Sequence, residues 1–349
     1  NLAIGYQAMV ANTAGGTSNV AIGNYSMDTL TSGDYNTAVG MHSMGAITTG
    51  GSNTAMGRNA GVAITTGAQN VAIGAYALDT VSTTNDSVAV GYYAMTSGTS
   101  AGITAVGSHA LQSLTDGVGH TAVGFETLMT ATEHSYSTAI GYQALKVMGA
   151  AHANTAVGYH AGLATTTGAS NTFVGSDAGL TNTEGEENVL VGAAAGDSVT
   201  TGSQNTGVGT NALQSTTTAD GNTAIGRSAL YTNTTGATNT AVGKNALYNN
   251  TDATSNVGVG FSAGLHVTTG SYNTMVGLYA GAAANGITTG SQNTIIGANT
   301  STNAANGVGL ITIGYNVAGQ EDYHFTFGNG GSHRVYNAFN SNASWTRSS

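Results

Sequence analysis

The chain has no cysteine, no proline, only six basic residues and one tryptophan. Without cysteine there are no disulfides and no thiolate metal sites. Proline cannot donate to a hydrogen-bond ladder, so its absence from 349 residues suits a backbone bonded nearly everywhere. Charged residues make up 6%, and sixteen acids against six bases give a net charge of −10. That balance argues against a phosphate backbone as partner, and no nucleic acid is expected. No run of 18 apolar residues occurs, so no membrane insertion is expected. There is no signal-peptide pattern. The chain opens within a phrase, Asn1-Leu2-Ala3-Ile4-Gly5, so a preceding part is expected.

Glycine is abundant, at 53 positions, and much of it is periodic. The clearest copy of the repeat is Asn239-Thr240-Ala241-Val242-Gly243, followed by Lys244-Asn245-Ala246-Leu247. The key glycine recurs at 5, 23, 40, 57, 74, 91, 107, 124, 141, 158, 175, 192, 209, 226, 243, 260, 277, 297 and 314. These nineteen copies step by 17 residues, apart from single steps of 18, 16 and 20. A short fixed period predicts a solenoid, because each unit can bury its apolar face only against its neighbours. Seventeen residues are too few for a helical-pair repeat, which needs about 33. The extra three residues near 282–287 are expected to bulge outward without breaking the stack.

The position before the key glycine is aliphatic in all nineteen copies. The position three before it is Thr or Val in seventeen, and the residue between is mostly Ala. This period-two alternation predicts a strand. One face carries Thr/Val and Ile/Val, and the other carries Ala and Gly, where another backbone or chain could come close. The following x-x-Ala-Leu, as at Ala144-Leu145, reads as a return strand. Thr-Thr-Gly connections, as at Thr65-Thr66-Gly67, read as turns in which glycine supplies a positive φ. Asn stands four before the key glycine in fourteen copies, where it suits a left-handed turn residue or a stacked amide ladder. So thin an interior implies oligomerisation. The fold class predicted is all-β: an elongated parallel β-solenoid, residues 1–318, with a small C-terminal β tip, residues 319–349.

Several side-chain groups invite a functional reading. Tyr92, Phe125, Tyr142 and Tyr159 follow the key glycine directly, with Ser108 interrupting. They form either a sugar-binding ladder or packing between chains or along the stack, and packing is the expectation. His42, His109 and His160 share the next position and read as exposed polar side chains, the alternative being an ion held on a trimer axis. The tip holds Tyr323, His324, His333, Arg334, Tyr336 and Trp345, which combine aromatic faces with hydrogen-bond donors. They are the candidate receptor-binding residues, and they could equally cap the end of the stack. Strands are expected over 323–327 and 334–339, around the turn Gly328-Asn329-Gly330-Gly331.

The phrase Asn-Thr-Ala-Ile/Val-Gly-x-x-Ala resembles the head repeat of YadA-type trimeric adhesins, and still more the repeat arrays of bacteriophage tail fibres. The resemblance covers residues 1 to about 318. It implies a left-handed β-roll, an intertwined homotrimer and an adhesive role. The ending from Arg334 to Ser349 resembles the stretch before a peptidase S74-type intramolecular chaperone, so a maturation cut is expected near Ser349. The implied protein is the distal part of a phage tail fibre, a virion component. Its partners would be a host surface polysaccharide or outer-membrane receptor, and other tail proteins through the preceding part. The alternative is the head of a bacterial surface adhesin or an extracellular fibril protein. No enzyme activity, cofactor or metal is expected. Phage spikes can carry paired catalytic carboxylates, but the densest acids here, Glu184, Glu186 and Glu187, read as one solvated turn.

Overall fold

The computed structural model describes residues 1–12, 14–98, 101–133, 136–283, 286–330 and 333–338. The chain forms two compact units, Asn1–Asp177 and Ala178–Ser349. Each is a parallel β-solenoid, and there is no helix among the described residues. The first unit carries β1 (Leu2–Ile4), β2 (Val20–Ile22), β3 (Thr37–Val39), β4 (Thr54–Met56), β5 (Val71–Ile73), β6 (Val88–Val90), β7 (Thr104–Val106), β8 (Thr121–Val123), β9 (Thr138–Ile140), β10 (Thr155–Val157) and β11 (Thr172–Val174). The second carries β12 (Val189–Val191), β13 (Thr206–Val208), β14 (Thr223–Ile225), β15 (Thr240–Val242), β16 (Val257–Val259), β17 (Thr274–Val276), β18 (Thr294–Ile296), β19 (Ile311–Tyr315), β20 (His324–Asn329) and β21 (His333–Ala338).

Each short strand pairs with the same phrase one coil away. Thr37 lies opposite Thr54, Ala38 opposite Ala55 and Val39 opposite Met56. The ladder continues beyond the strands. The Gly40 amide donates to the Ile22 carbonyl (2.7 Å), His42 to Asn24 (3.0 Å), Met44 to Ala60 (2.9 Å) and Thr48 to Thr65 (2.9 Å). The backbone is therefore satisfied around much of the circumference, as a buried backbone must be. Threonine hydroxyls add to it, as Thr183, Thr200, Thr217 and Thr234 each donate to the threonine carbonyl one coil on.

Four details differ from the sequence reading. The x-x-Ala-Leu segment is a run of turns and not a return strand, with Gln143 (φ 56°) and Leu145 (φ 49°) left-handed. The Asn column is a buried amide ladder, but the left-handed residue is the one before it, such as Ser52 (φ 60°) or Gln69 (φ 61°). The glycine of Thr-Thr-Gly is needed for close approach: a β-carbon on Gly67 would overlap the Thr84 carbonyl oxygen, while Gly67 is not among the residues of positive φ. Finally, the small-residue face lies inside. Ala38, Ala55, Ala72 and Ala89 are buried, whereas the Thr/Val and Ile/Val positions point outward.

The interior is filled by these alanines, by the Leu or Met four residues after the key glycine, and by an aliphatic three further on, as in Leu111 and Leu114. Volume is conserved by exchange between the positions. Where Phe173 replaces the inner alanine, Gly162 stands where Leu145 stands one coil earlier. A β-carbon on Gly162 would lie 2.8 Å from Leu145 Cδ2 and also crowd the Phe173 ring. Met275 is flanked in the same way by Gly264 and Gly281.

The amide ladder sits beside this core. The Asn53 backbone amide (3.0 Å) and its Nδ2 (3.1 Å) both donate to Asn36 Oδ1, and Nδ2 also reaches the Gly67 carbonyl (2.8 Å). In the second unit the ladder runs Asn188, Asn205, Asn222, Asn239, Asn256, Asn273 and Asn293, and the Leu310 amide ends it (2.9 Å). The 20-residue step keeps register, since Thr274 pairs with Thr294 and Ile287 returns to the core. Residues 284–285 of that insertion lie outside the described residues.

The 17-residue period ends at Gly314, yet the stacking continues. β20 pairs in parallel with β19, Gly314 opposite Gly328. Phe325-Thr326-Phe327-Gly328 is thus a further copy of the phrase, at a step of 14 residues (314 to 328). β21 then turns back antiparallel on β20; Gly328 and Asn329, expected in the turn, are the last residues of β20, and Gly331 and Phe339 lie outside the described residues.

The size exchange predicts a coupled pair. Phe173→Ala alone should cost about 3–5 kcal/mol, and Gly162→Leu alone should also destabilise by overpacking. The double variant restores the arrangement of the preceding coil and should recover at least about 1 kcal/mol of the summed loss. Equilibrium unfolding of the three variants tests this, and strictly additive losses would refute it.

Candidate functional site

The residues three and one before the key glycine form the outward face of the strands. In the first unit they run from Leu2 and Ile4 to Thr172 and Val174, and in the second from Val189 and Val191 to Ile311 and Ile313. Each is Thr, Val, Ile, Leu or Met, and none is charged. Ile4, Met56, Ile73, Ile140, Val208, Ile225, Val276 and Ile296 are all exposed. A sheet face left to water ordinarily carries polar residues. This one carries no charge and alternates Thr or Val with an aliphatic residue in almost every coil.

The tip candidates are only partly brought together. Tyr323 is exposed and left-handed (φ 59°), and its amide donates to the Val308 carbonyl (3.0 Å). His324 Nδ1 lies 2.9 Å from the Asp322 carbonyl oxygen, so Nδ1 carries the proton and Nε2 is left for another partner. On β21, His333 pairs with Asn329, Arg334 with Gly328 and Tyr336 with Thr326. Phe327 and Val335, cross-strand partners that the sequence reading did not single out, are both exposed. Trp345 lies outside the described residues.

A second candidate lies in the first unit. The aromatic column after the key glycine is continuous where the sequence suggested a gap at Ser108. There the ring of His109 stands 5.6 Å from Tyr92 and 6.2 Å from Phe125, and Ser108 Oγ holds its Nδ1 (2.8 Å). Phe125, Tyr142 and Tyr159 follow with centroids 5.3 and 5.5 Å apart and planes within 15°. Contacting carbons sit about 3.5–4.0 Å apart, so these rings are offset like shingles, each leaving part of a face open. They are 40%, 45% and 49% exposed. The stacking expected from the sequence is present, and it leaves the column accessible.

Polar side chains run beside the rings at the next position: His109, Glu126, Gln143, His160 and Asp177. The sequence reading noted the histidines but not this companion column. It is legible only when two adjacent offsets are read together. Glu126 Oε2 accepts from Lys146 Nζ (2.6 Å) and from Gln143 Nε2 (2.7 Å). The Lys146 hydrogen bond is the main reason its carboxyl is held below the usual range, with Gln143 adding to it against the cost of burial. His160 Nδ1 lies 3.4 Å from Asp177 Oδ1.

Glu186 and Glu187 are tied into the stack. Gln204 Nε2 donates to Glu187 (3.1 Å) and the Glu186 amide donates to Ser203 (3.0 Å), both one coil away. Asp116 and Glu133, which the sequence reading passed over, meet in a parallel bridge and line an open depression with Gly117 and Val118. Among the described residues no group of three or more His, Asp or Glu could hold a metal ion.

The Glu126 network has a pH signature. Its native proton affinity is depressed, so its stabilisation is full above the ordinary glutamate value and is lost as pH falls through the lower native value. Lys146→Met should therefore cost at most about 1 kcal/mol at neutral pH and nothing below the carboxylate range. Melting curves at the two pH values check this; an equal loss at both would show that Lys146 acts by packing alone. Comparison with known proteins finds no family model and no curated relative that matches the chain.

Proposed function

We propose that the chain is a structural and adhesive part of a bacteriophage tail fibre, assembled as a homotrimer, that presents its C-terminal end to the host surface. The observation that carries this reading is the uncharged outward strand face repeated in every coil. A second copy of the same face is its natural cover, since identical periods keep apolar columns in step. The small inner face cannot serve this purpose, because it is consumed within each coil. The basis for assembly is therefore the Thr/Val and Ile/Val columns. Supporting the adhesive part of the reading is the change of chemistry after Gly314, where Tyr315, Tyr323, Phe327 and Val335 are exposed within a short stretch. Three copies of such an end would gain affinity for a repetitive surface glycan through avidity.

Two outcomes follow. Sedimentation at micromolar concentration should give three times the chain mass of 34.4 kDa, and lysine at both Ile225 and Val242 should dissociate it, whereas a folded monomer would overturn the assembly. Arg334→Ala and Trp345→Ala should each weaken adsorption of purified trimers to host cells by about tenfold or more. Adsorption equal to the parent, with trimers intact, would remove the tip from recognition.

A further inference from the structure

We propose that the column Phe125, Tyr142 and Tyr159, with its companions Glu126, Gln143 and His160, binds a neutral glycan chain along the side of the first unit, apart from the tip. The rings recur once per coil, so the platform is periodic in the direction in which a polysaccharide is periodic. Their offset leaves partial faces open, and a sugar ring packs its C–H face on such a surface. Tyr142 and Tyr159 each add a hydroxyl, which can donate or accept. The flanking amide, carboxylate and imidazole offer the mixed hydrogen bonding that orients a polyol, a pattern found where a few polar groups border an apolar floor.

Charge narrows the ligand. Lys146 is the only Lys or Arg among the residues from 101 to 177, and Glu126 already neutralises it. Glu126 and Asp177 therefore leave the platform acidic or neutral, which disfavours a polyanion. Tyr231 and Tyr248 in the second unit supply a contrast, since they stack at 4.8 Å with planes 4° apart but form a pair without a third ring.

The test is calorimetric titration of the purified full chain with cellohexaose, with chitohexaose, and with a hexauronate of the same length. One or both neutral hexasaccharides should bind, at least about tenfold more tightly than the hexauronate. Tyr142→Ala and Tyr159→Ala should each weaken binding by about tenfold, while Tyr231→Ala leaves it unchanged. Both column residues are half exposed, so their removal opens no core, and thermal melting verifies the fold. Saturation transfer from tyrosine ring protons to the bound sugar in the parent protein gives a readout that needs no variant. The proposal is overturned if neither neutral sugar binds, if the hexauronate binds as well, or if the column variants bind like the parent. Loss in Trp345→Ala with the column variants intact would also overturn it and assign the glycan to the tip.

Discussion

Strand spacing is the constraint on which the rest depends. Each coil bonds to the next at a distance set by the backbone amide and carbonyl, about 4.8 Å. A residue at a given offset therefore meets the same offset in the coils before and after it. Whatever chemistry a position has must be compatible with itself. Glycine on glycine meets this at the closest approach: a β-carbon on Gly226, where φ is 132°, would lie 2.6 Å from the Gly243 carbonyl carbon. Asn on Asn meets it by donating with one group and accepting with another, and Thr on Thr does the same through hydroxyl and carbonyl. Charge does not meet it, because a like charge at every coil repels. The scarcity of Lys, Arg, Asp and Glu follows directly.

The same rule explains what could be read from the sequence. Period, strand position and parallel pairing were legible because self-compatibility leaves so few residue types at each offset. Which face is inside was not. Alternation separates Ala from Ile/Val but does not orient them. A narrow coil settles the matter sterically, taking Ala38 inward and leaving Val39 half exposed. The turns were misread for a different reason. Leu145 adopts a left-handed backbone that costs a non-glycine residue about 1–2 kcal/mol. No local signal announces it, since the compensation comes from the Leu145 amide donating to the Ala161 carbonyl one coil on.

The candidate sites were legible to the extent that they follow the period. The aromatic column was visible at one offset, but the contribution of His109 and the polar companions required the stacked geometry. Near the C-terminus the period changes. The Phe325-Thr326-Phe327-Gly328 copy was hidden by its 14-residue step and by aromatics in place of Thr and Val. Thr326, at the inner position, is nonetheless fully buried, so the inside rule persists where the phrase has altered.

The asparagine ladder also gives the stack an arrow. Every bond to an asparagine Oδ1 runs the same way: the later coil supplies the N–H and the earlier one the Oδ1, from Asn205 on Asn188 to Leu310 on Asn293. The side-chain amides are thus aligned dipoles in a low-dielectric interior, and aligned dipoles polarise one another. The two ends of such a column are chemically unequal. In the second unit the last oxygen, on Asn293, takes a backbone donor, the Leu310 amide, in place of a further asparagine. A coil can extend the column only in the same orientation, so the growing stack is a template with a fixed direction of reading.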